Sequence, residues 1–191
     1  IEELIHNGEK LCGLTFDREA IAFISAVAYG SPYIASLLSQ HAGLAAVDRD
    51  ASMVEKKDVA EAINHAVNEI RHRVSSLSLF QTGRAKADGH GNSLGLLARL
   101  ALHYGGRLLP QQADDVIRKP GQGLAFMQKM EQDYGLLEPL ANDPAGAYPF
   151  REEGVPVYLW IELAQSHFAG EKSNTKLLDA LLDKYAVAQS A

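Results

Sequence analysis

The chain has 191 residues, 47% of them hydrophobic and 22% charged, and this balance excludes a disordered protein because it provides enough apolar side chain for a buried core. Its one cysteine excludes an internal disulfide, and no apolar run approaches the roughly 20 residues that a membrane-spanning helix needs. The net charge of -6 argues against a generally basic nucleic-acid-binding protein. We therefore expect a cytoplasmic, mainly helical protein with one large or two small domains and no membrane partner.

Charge is distributed unevenly along the chain. Residues 1–70 contain 5 basic and 11 acidic side chains, residues 71–130 contain 9 basic and 3 acidic, and residues 131–191 contain 4 basic and 10 acidic. The middle third is therefore the part whose charge would attract a polyanion. A solvated basic face that the acidic ends neutralise in the fold would give the same pattern, and the sequence leaves both alternatives open.

The first third of the chain predicts a packet of three helices. Apolar residues at helical spacing predict a helix over 17–29, with Asp17 as its N-cap, and a second helix over 31–46. A short extended connection at 53–55 then leads to the third helix, over 57–74.

Gly30, Ser31 and Pro32 form the corner between the first two predicted helices. Glycine tolerates the left-handed backbone that ends a helix, while serine and proline suit the N-cap and the first position of the next helix. This corner, together with the pattern over 54–62 at the start of the third helix, resembles the helical lid domain that follows the nucleotide-binding core of AAA+ ATPases. The resemblance implies that the corner lies near the nucleotide. Tyr33 stands where lids of that family often carry an arginine, called sensor 2, that touches the γ-phosphate.

Small and polar residues over 76–92 predict a linker between a lid-like domain over 1–75 and a second domain over 93–191. In the second domain the sequence predicts three helices, two short strands joined by a turn, and two further helices: 93–104, 111–117, 123–134, 136–140, 147–150, 155–168 and 174–187. This order resembles a winged-helix domain of the kind that follows AAA+ lids in origin-recognition-type ATPases. The resemblance implies that the third helix enters the DNA major groove and that the hairpin touches the DNA backbone or minor groove.

The sequence contains no P-loop of the form Gly-x-x-x-x-Gly-Lys-Ser/Thr and no apolar strand ending in Asp-Glu that would hold magnesium. It begins at Ile1 inside a helical pattern, which favours a C-terminal fragment of an AAA+ ATPase. We expect ATP and Mg²⁺ only with a missing upstream core, which would be one partner of this chain. In the fragment itself we expect no catalytic residue and no cofactor.

Two further patterns suggest chemistry but lack the context that the chemistry needs. Residues 91–95 fit Gly-x-Ser-x-Gly, the nucleophile elbow of α/β-hydrolases, which requires a buried strand before the serine. Because polar residues precede it, we interpret Ser93 as the N-cap of the helix that follows. His65 and His72 lie seven residues apart on one predicted helix, but neither His-Glu-x-x-His nor a cysteine cluster accompanies them, so we predict no metal site.

DNA contact is the remaining candidate function. Lys and Arg side chains bind phosphates, whereas Arg, Lys, Asn or Gln on an inserted helix read base edges. The predicted DNA-binding residues lie on and around the third helix of the second domain: Arg99, Arg107, Arg118, Lys119, Gln122, Gln128 and Lys129. Acidic side chains on that helix and after the hairpin oppose this role: Glu131, Asp133, Glu152 and Glu153.

The alternative is a protein-interaction module of the same architecture that does not bind DNA, with a homo-oligomer as one form of it. The acidic ends of the chain and the apolar segment 155–163 favour this alternative. An independent enzyme is a third possibility, for which the sequence offers no coherent catalytic set.

Overall fold

The computed structural model describes residues 1–28 and 31–168, with side chains as far as residue 166. Within these residues the chain forms helices and two very short strands, which confirms the predicted mainly helical class. The helices are α1 (Glu2–Cys12), α2 (Arg18–Ala28), α3 (Pro32–Asp48), α4 (Lys56–Arg71), α5 (Ser76–Ala87), α6 (Gly91–His103), α7 (Pro110–Ile117), α8 (Gly123–Gln132) and α9 (Gly154–Phe168). The strands are β1 (Thr15–Phe16) and β2 (Met53–Val54). The predicted helix over 174–187 lies outside the described residues.

The described residues divide into two compact units. The first consists of Ile1–Glu69 and the end of α9 from Ala164, and the second consists of Ile70–Leu163. The assignment of the chain to a lid-like and a winged-helix-like domain stays a prediction. No described helix combines the length and the apolar character that crossing a membrane requires.

In the first unit, α2 and α3 pack against each other and α1 packs against both. The face of α4 that the sequence predicts to be apolar is buried: Val59, Ala62, Ile63, Ala66, Val67 and Ile70. The two strands pair in parallel, with Thr15 opposite Met53 and Phe16 opposite Val54. The short extended connection predicted at 53–55 is therefore present, and its partner is the segment that leads into α2.

The starts of α2 and α3 follow the sequence prediction. Asp17 accepts a hydrogen bond from the backbone N–H of Ala20 through Oδ1, at 2.5 Å. Ser31 accepts one from the N–H of Ile34 through Oγ, at 3.3 Å, and Pro32 occupies the first helical position. Both arrangements satisfy backbone donors that have no partner inside the helix.

The predicted linker over 76–92 is wrong for most of its length, because α5 occupies it. Ser75 caps this helix by accepting a hydrogen bond from the N–H of Ser78, at 3.2 Å. The buried face of α5 consists of small or polar side chains: Ser78, Thr82 and Ala85. Hydrophobic periodicity missed the helix, since its buried face has almost no apolar signal.

The second unit is built around α6, in which residues 94–101 are all buried. Gly95 permits a close approach of α9, because a Cβ atom there would lie 2.8 Å from Cδ2 of Leu163. The apolar segment 155–163 of α9 is largely buried as well. This segment is part of the core. It therefore does not provide the exposed apolar surface that the protein-interaction alternative would require.

The predicted hairpin is present in irregular form. Leu137 and Phe150 form an isolated antiparallel bridge, and the N–H of Leu140 donates to the carbonyl of Ala147 at 2.8 Å. Each of the two segments contains a proline, which has no N–H to donate. Regular strands therefore do not develop, although the chain reverses where the sequence predicts.

Glu152 ties the end of the hairpin to the start of α5. Its carboxylate accepts hydrogen bonds from the N–H and Oγ of Ser75, at 2.8 and 2.7 Å, and from Oγ of Ser78, at 2.6 Å. Burial alone would raise the pKa of Glu152, but the hydrogen bonds from Ser78 and Ser75 outweigh it and leave the pKa lowered. Its neighbour Glu153 is exposed.

Candidate nucleic-acid interface

The helices α7 and α8 form a tight helix–turn–helix pair in the second unit. Pro110 occupies the first position of α7, which suits a residue without an N–H. Arg118 ends α7 in the left-handed conformation, at φ 55° and ψ 37°, which for a residue with a Cβ is unfavourable by roughly 1–2 kcal/mol. Its backbone N–H donates to the carbonyls of Asp114 and Asp115, so the turn begins with satisfied hydrogen bonds.

Gly123 fixes the distance between the two helices. A Cβ atom on this residue would lie 2.0 Å from the carbonyl oxygen of Pro110 and 2.7 Å from the backbone nitrogen of Asp114. The N–H of Gly123 donates to the Asp114 carboxylate, which thereby caps the start of α8. Only glycine allows the start of α8 to lie this close to α7, and this closeness sets where the side chains of α8 project.

On α8, apolar side chains form the buried face and polar side chains lie at the surface, where Leu124 is also 45% exposed. Met127 and Met130 are fully buried. Gln122 just before the helix, together with Gln128 and Lys129 on it, is exposed. The predicted base-reading side chains therefore lie at the surface.

A cavity of about 560 Å³ lies where the start of α6, the end of α7 and the helix α8 meet. We call it the cationic cleft, and these residues line it: His90, Asn92, Ser93, Leu96, Val116, Ile117, Arg118, Lys119, Gln122, Ala125, Phe126 and Lys129. It includes four of the seven predicted DNA-binding residues and no carboxylate of the described chain. The structure thus brings together cations that are up to 11 positions apart in the sequence.

No acidic side chain of the described part of the chain pairs with the three cations of the cleft. Arg118, Lys119 and Lys129 are exposed, and none of them forms an ion pair with a residue of the described segments. In contrast, Arg107 bonds Oδ1 of Asp143 through Nη2, at 2.7 Å, and does not line the cleft. Free cations around one concavity give a local positive potential that attracts anions.

His90 lies at the wall of the cleft, and the sequence analysis did not single it out. Its Nε2 atom is buried and has no hydrogen-bond partner among the described residues, and its ring meets Phe126 edge to face with centroids 5.7 Å apart. Burial and the nearby positive charge of Lys129 lower the pKa of His90. The lowered pKa favours the neutral ring, whose buried Nε2 has no hydrogen-bond partner among residues 1–28 and 31–168.

The start of α6 also faces the cleft, since Asn92 and Ser93 are among its lining residues. The N-cap of this helix is His90, not Ser93 as predicted, and no side chain caps it. Ser93 lies within the first turn of α6, and the residues before it form no strand, so the nucleophile-elbow pattern has no strained turn around it. The uncapped N–H groups carry partial positive charge at this end of the helix.

Arg99 is the clearest correction among the predicted DNA-binding residues. Its relative exposure is 1%, and its guanidinium lies 4.9 Å from the ring centroid of Trp160. A phosphate contact requires an exposed guanidinium, so Arg99 is excluded from the interface. The uninterrupted apolar residues on either side of Arg99 were the signal in the sequence that this face of α6 is buried.

The predicted nucleotide-proximal corner is described only in part. Gly30 lies outside the described residues, while Ser31 and Pro32 begin α3 as predicted. Tyr33 is 41% exposed in the first turn of α3. Among the described residues no group of three or more His, Cys, Asp or Glu could hold a metal ion. His65 stacks on His41 with ring centroids 5.4 Å apart, which gives it a neighbour other than His72.

Comparison of the chain with protein-family models, curated proteins and solved structures finds no match in any of the three.

Proposed function

We propose that the second unit binds duplex DNA through α8 and the turn that precedes it. The observation that carries this proposal is a set of three exposed cations around one cleft, which form no ion pair with residues 1–28 or 31–168, beside exposed glutamines on and before α8. Phosphate contacts supply most of the affinity of a DNA-binding protein, and amide side chains on a helix in the major groove read base edges.

In this proposal the residues divide into two roles. Arg118 and Lys119 bind backbone phosphates, and Gln122 and Gln128 read bases. Lys129 contributes charge from the far side of the cleft. The acidic residues Glu131, on α8, and Asp133, its C-cap, lie at the C-terminal end, so we expect DNA to approach the N-terminal half of the helix.

Salt dependence tests the proposal directly. The affinity of the chain for a short labelled duplex should fall steeply with salt. Replacing Arg118 and Lys119 with Gln should reduce the slope of log affinity against log salt by about 0.9 for each phosphate that the variant no longer neutralises. Lys10→Gln, which removes one exposed charge from α1 in the first unit, is the matched control and should leave the slope unchanged. An affinity that does not respond to salt, or equal slopes for all variants, would falsify the proposal.

We further propose that the first unit serves as the lid of an AAA+ ATPase whose core binds ATP and Mg²⁺. The helices α2 to α4 with the Ser31–Pro32 corner support this, and Tyr33 provides no charge for the γ-phosphate. The nucleotide state of the core would then be coupled to DNA binding through contacts between the lid and the core. In a longer protein that includes a P-loop core, ATP should change the affinity for duplex DNA. Tyr33→Ala should preserve the rate of ATP hydrolysis, and a loss of hydrolysis would show that Tyr33 takes part in it.

An exposed apolar pair on α5 favours the protein-interaction alternative. Leu77 and Phe80 lie one helical turn apart, and each is 64% exposed. Light scattering across a concentration series tests this alternative. A mass that rises with concentration, and that Leu77→Ser with Phe80→Ser returns to that of a monomer, would support self-association. Leu11→Ser, at the 90% exposed Leu11 of α1, is the control.

A further inference from the structure

The cationic cleft has an apolar floor as well as a charged rim. Leu96, Val116 and Phe126 line it together with Arg118, Lys119 and Lys129. Duplex DNA presents its phosphodiesters on a convex backbone. A flat protein surface with cations is therefore enough to bind them, and no concavity is needed. A concavity of about 560 Å³ that combines both kinds of wall is of the size that encloses a small ligand.

We propose that the cationic cleft binds a phosphate monoester attached to a flat or apolar body, of which a nucleoside 5′-phosphate is the simplest example. This site goes beyond duplex binding, because it would remain if the chain did not bind duplex DNA at all. Such a ligand could come from a free nucleotide or from the phosphorylated 5′ end of a DNA strand.

The charge of the cleft suits a monoester. A phosphate monoester carries between one and two negative charges at neutral pH, whereas a backbone diester carries one. Three cations without ion pairs among the described residues can neutralise it, and the side chains of Gln122 and Ser93 provide donors to its oxygens. No carboxylate of the described chain lines the cleft, and Asp114 and Asp115 line a separate pocket with Arg118.

The remaining lining suits the body of the ligand. Phe126 is half-buried and presents an aromatic surface beside the apolar residues of α6 and α7. Flat rings stack on such side chains, with a contribution of about 1–3 kcal/mol per nucleobase. His90 adds one buried ring nitrogen without a partner in the described chain, which can bond to a polar atom of the ligand.

The experiment is a calorimetric titration of the full chain with adenosine 5′-monophosphate, adenosine and inorganic phosphate. We expect saturable binding of the monophosphate, at least about tenfold tighter than either part alone, since both the rim and the floor then contribute. No saturable binding of the monophosphate, or inorganic phosphate binding as tightly, would overturn the proposal.

Two variants locate the site. Ser93→Asp places a negative charge in the first turn of α6, where it favours the helix but repels the phosphate, so monophosphate binding should weaken about tenfold or more. Ser36→Asp, at an exposed position of α3, is the matched control and should bind as the parent chain does. Lys129→Gln, at an exposed position of α8, removes a cation from the cleft without altering α6. It should also weaken monophosphate binding. Unchanged binding in both cleft variants would place the ligand elsewhere and reject the proposal.

Competition identifies the source of the ligand and separates this site from duplex binding. A 5′-phosphorylated single strand should displace the monophosphate more effectively than the same strand with a 5′-hydroxyl, and equal displacement would overturn the proposal. If the phosphorylated strand binds more tightly than the monophosphate, the cleft takes DNA ends; if less tightly, it takes free nucleotides. Gln128→Ala, outside the cleft lining, should affect duplex affinity and leave monophosphate binding unchanged.

Discussion

Two carboxylates that each accept three hydrogen bonds, Asp58 in the first unit and Glu152 in the second, find their partners at different distances along the chain. In the first unit, Asp58 bonds Arg49, nine residues away, through Nε at 2.8 Å and Nη2 at 2.7 Å. In the second unit, Glu152 bonds Ser75, 77 residues away, and Lys86 bonds Glu162, 76 residues away. The contacts of Asp58 close within one short segment, while those of Glu152 join segments that are distant in the sequence. The first unit also has one distant link, from Nε2 of Gln165 to Oδ1 of Asn64 at 2.8 Å.

The serines that cap α3 and α5, Ser31 and Ser75, show the same difference between local and distant partners. Among the described residues, Oγ of Ser31 in the first unit makes only the hydrogen bond that starts its own helix. Ser75 in the second unit accepts the equivalent hydrogen bond and also donates from Oγ to Glu152. A residue that the sequence assigns to one helix can therefore also support a long-range contact that the sequence does not reveal.

The two units also show the difference between charged side chains that pair within the fold and charged side chains that remain accessible to a ligand. The guanidinium of Arg49 is committed to Asp58, and the hydrogen bonds from Arg49 hold the pKa of Asp58 below its ordinary value. Arg118, Lys119 and Lys129 in the second unit have no such ion pair among the described residues. A cation that is paired within the fold is less available to a ligand, and Arg118, Lys119 and Lys129 in addition lie around one cleft, so the second unit is where we place the binding site.

The largest expected effect comes from Gly123→Ala, because the new Cβ would meet backbone atoms of α7 that cannot move aside. We expect a loss of about 3 kcal/mol in the free energy of unfolding, measured with urea, and a loss of duplex binding as α8 shifts. Gly83→Ala is the control, since no atom lies within 4 Å of its Cβ position in α5. It should be neutral or stabilise by up to about 1 kcal/mol, and equal behaviour of the two variants would contradict the packing argument.

Asp58→Asn should be the most damaging polar substitution in the first unit. Asp58 is 2% exposed and accepts hydrogen bonds from Arg49 and from the N–H of Glu55, so we expect a loss of about 2–3 kcal/mol in the free energy of unfolding. Because the folded pKa of Asp58 is lowered, its contribution is complete above the ordinary carboxyl pKa of about 4 and is lost as the pH falls through the lowered value. Urea unfolding of the parent chain and the variant over this acid range should converge, while exposed Glu61→Gln should change little at any pH.

Glu152→Gln tests the long-range contact of the second unit. The neutral amide would keep the shape of the side chain but accept the three hydrogen bonds less strongly, and we expect a loss of about 1–2 kcal/mol at neutral pH. The adjacent Glu153→Gln has the same chemistry at an exposed position and should change stability by less than about 0.5 kcal/mol. If both variants unfold at the same urea concentration as the parent chain, the Glu152 contact contributes nothing to stability.

The smallest predicted difference is the one between the two serine caps. Ser31→Ala should reduce the free energy of unfolding by about 1 kcal/mol, as is typical when an N-cap is removed. Ser75→Ala should reduce it by about 1 kcal/mol more, because its hydroxyl also donates to a carboxylate. A double-mutant cycle of Ser75→Ala with Glu152→Gln should give a coupling energy of that size, whereas additive effects would show that the two side chains act separately.

Much of the first unit could be predicted from the sequence because its signals are local. Helical spacing, the caps Asp17 and Ser31, and the extended residues at 53–55 each depend on neighbours within a few positions. The hairpin of the second unit was placed correctly for the same reason. The buried face of α5 lacks large apolar residues. Helical spacing of apolar residues therefore gave no signal there, and the predicted linker was wrong.

The sequence by itself determined the helical class, most helix positions and a basic middle third that could attract a polyanion. Only the tertiary structure decided which cations remain available: it buried Arg99 against Trp160, paired Arg107 with Asp143, and left three others around one cleft. The physical reason is that helix formation follows local spacing, whereas the exposure and the pairing of a charge depend on elements that lie far apart in the chain.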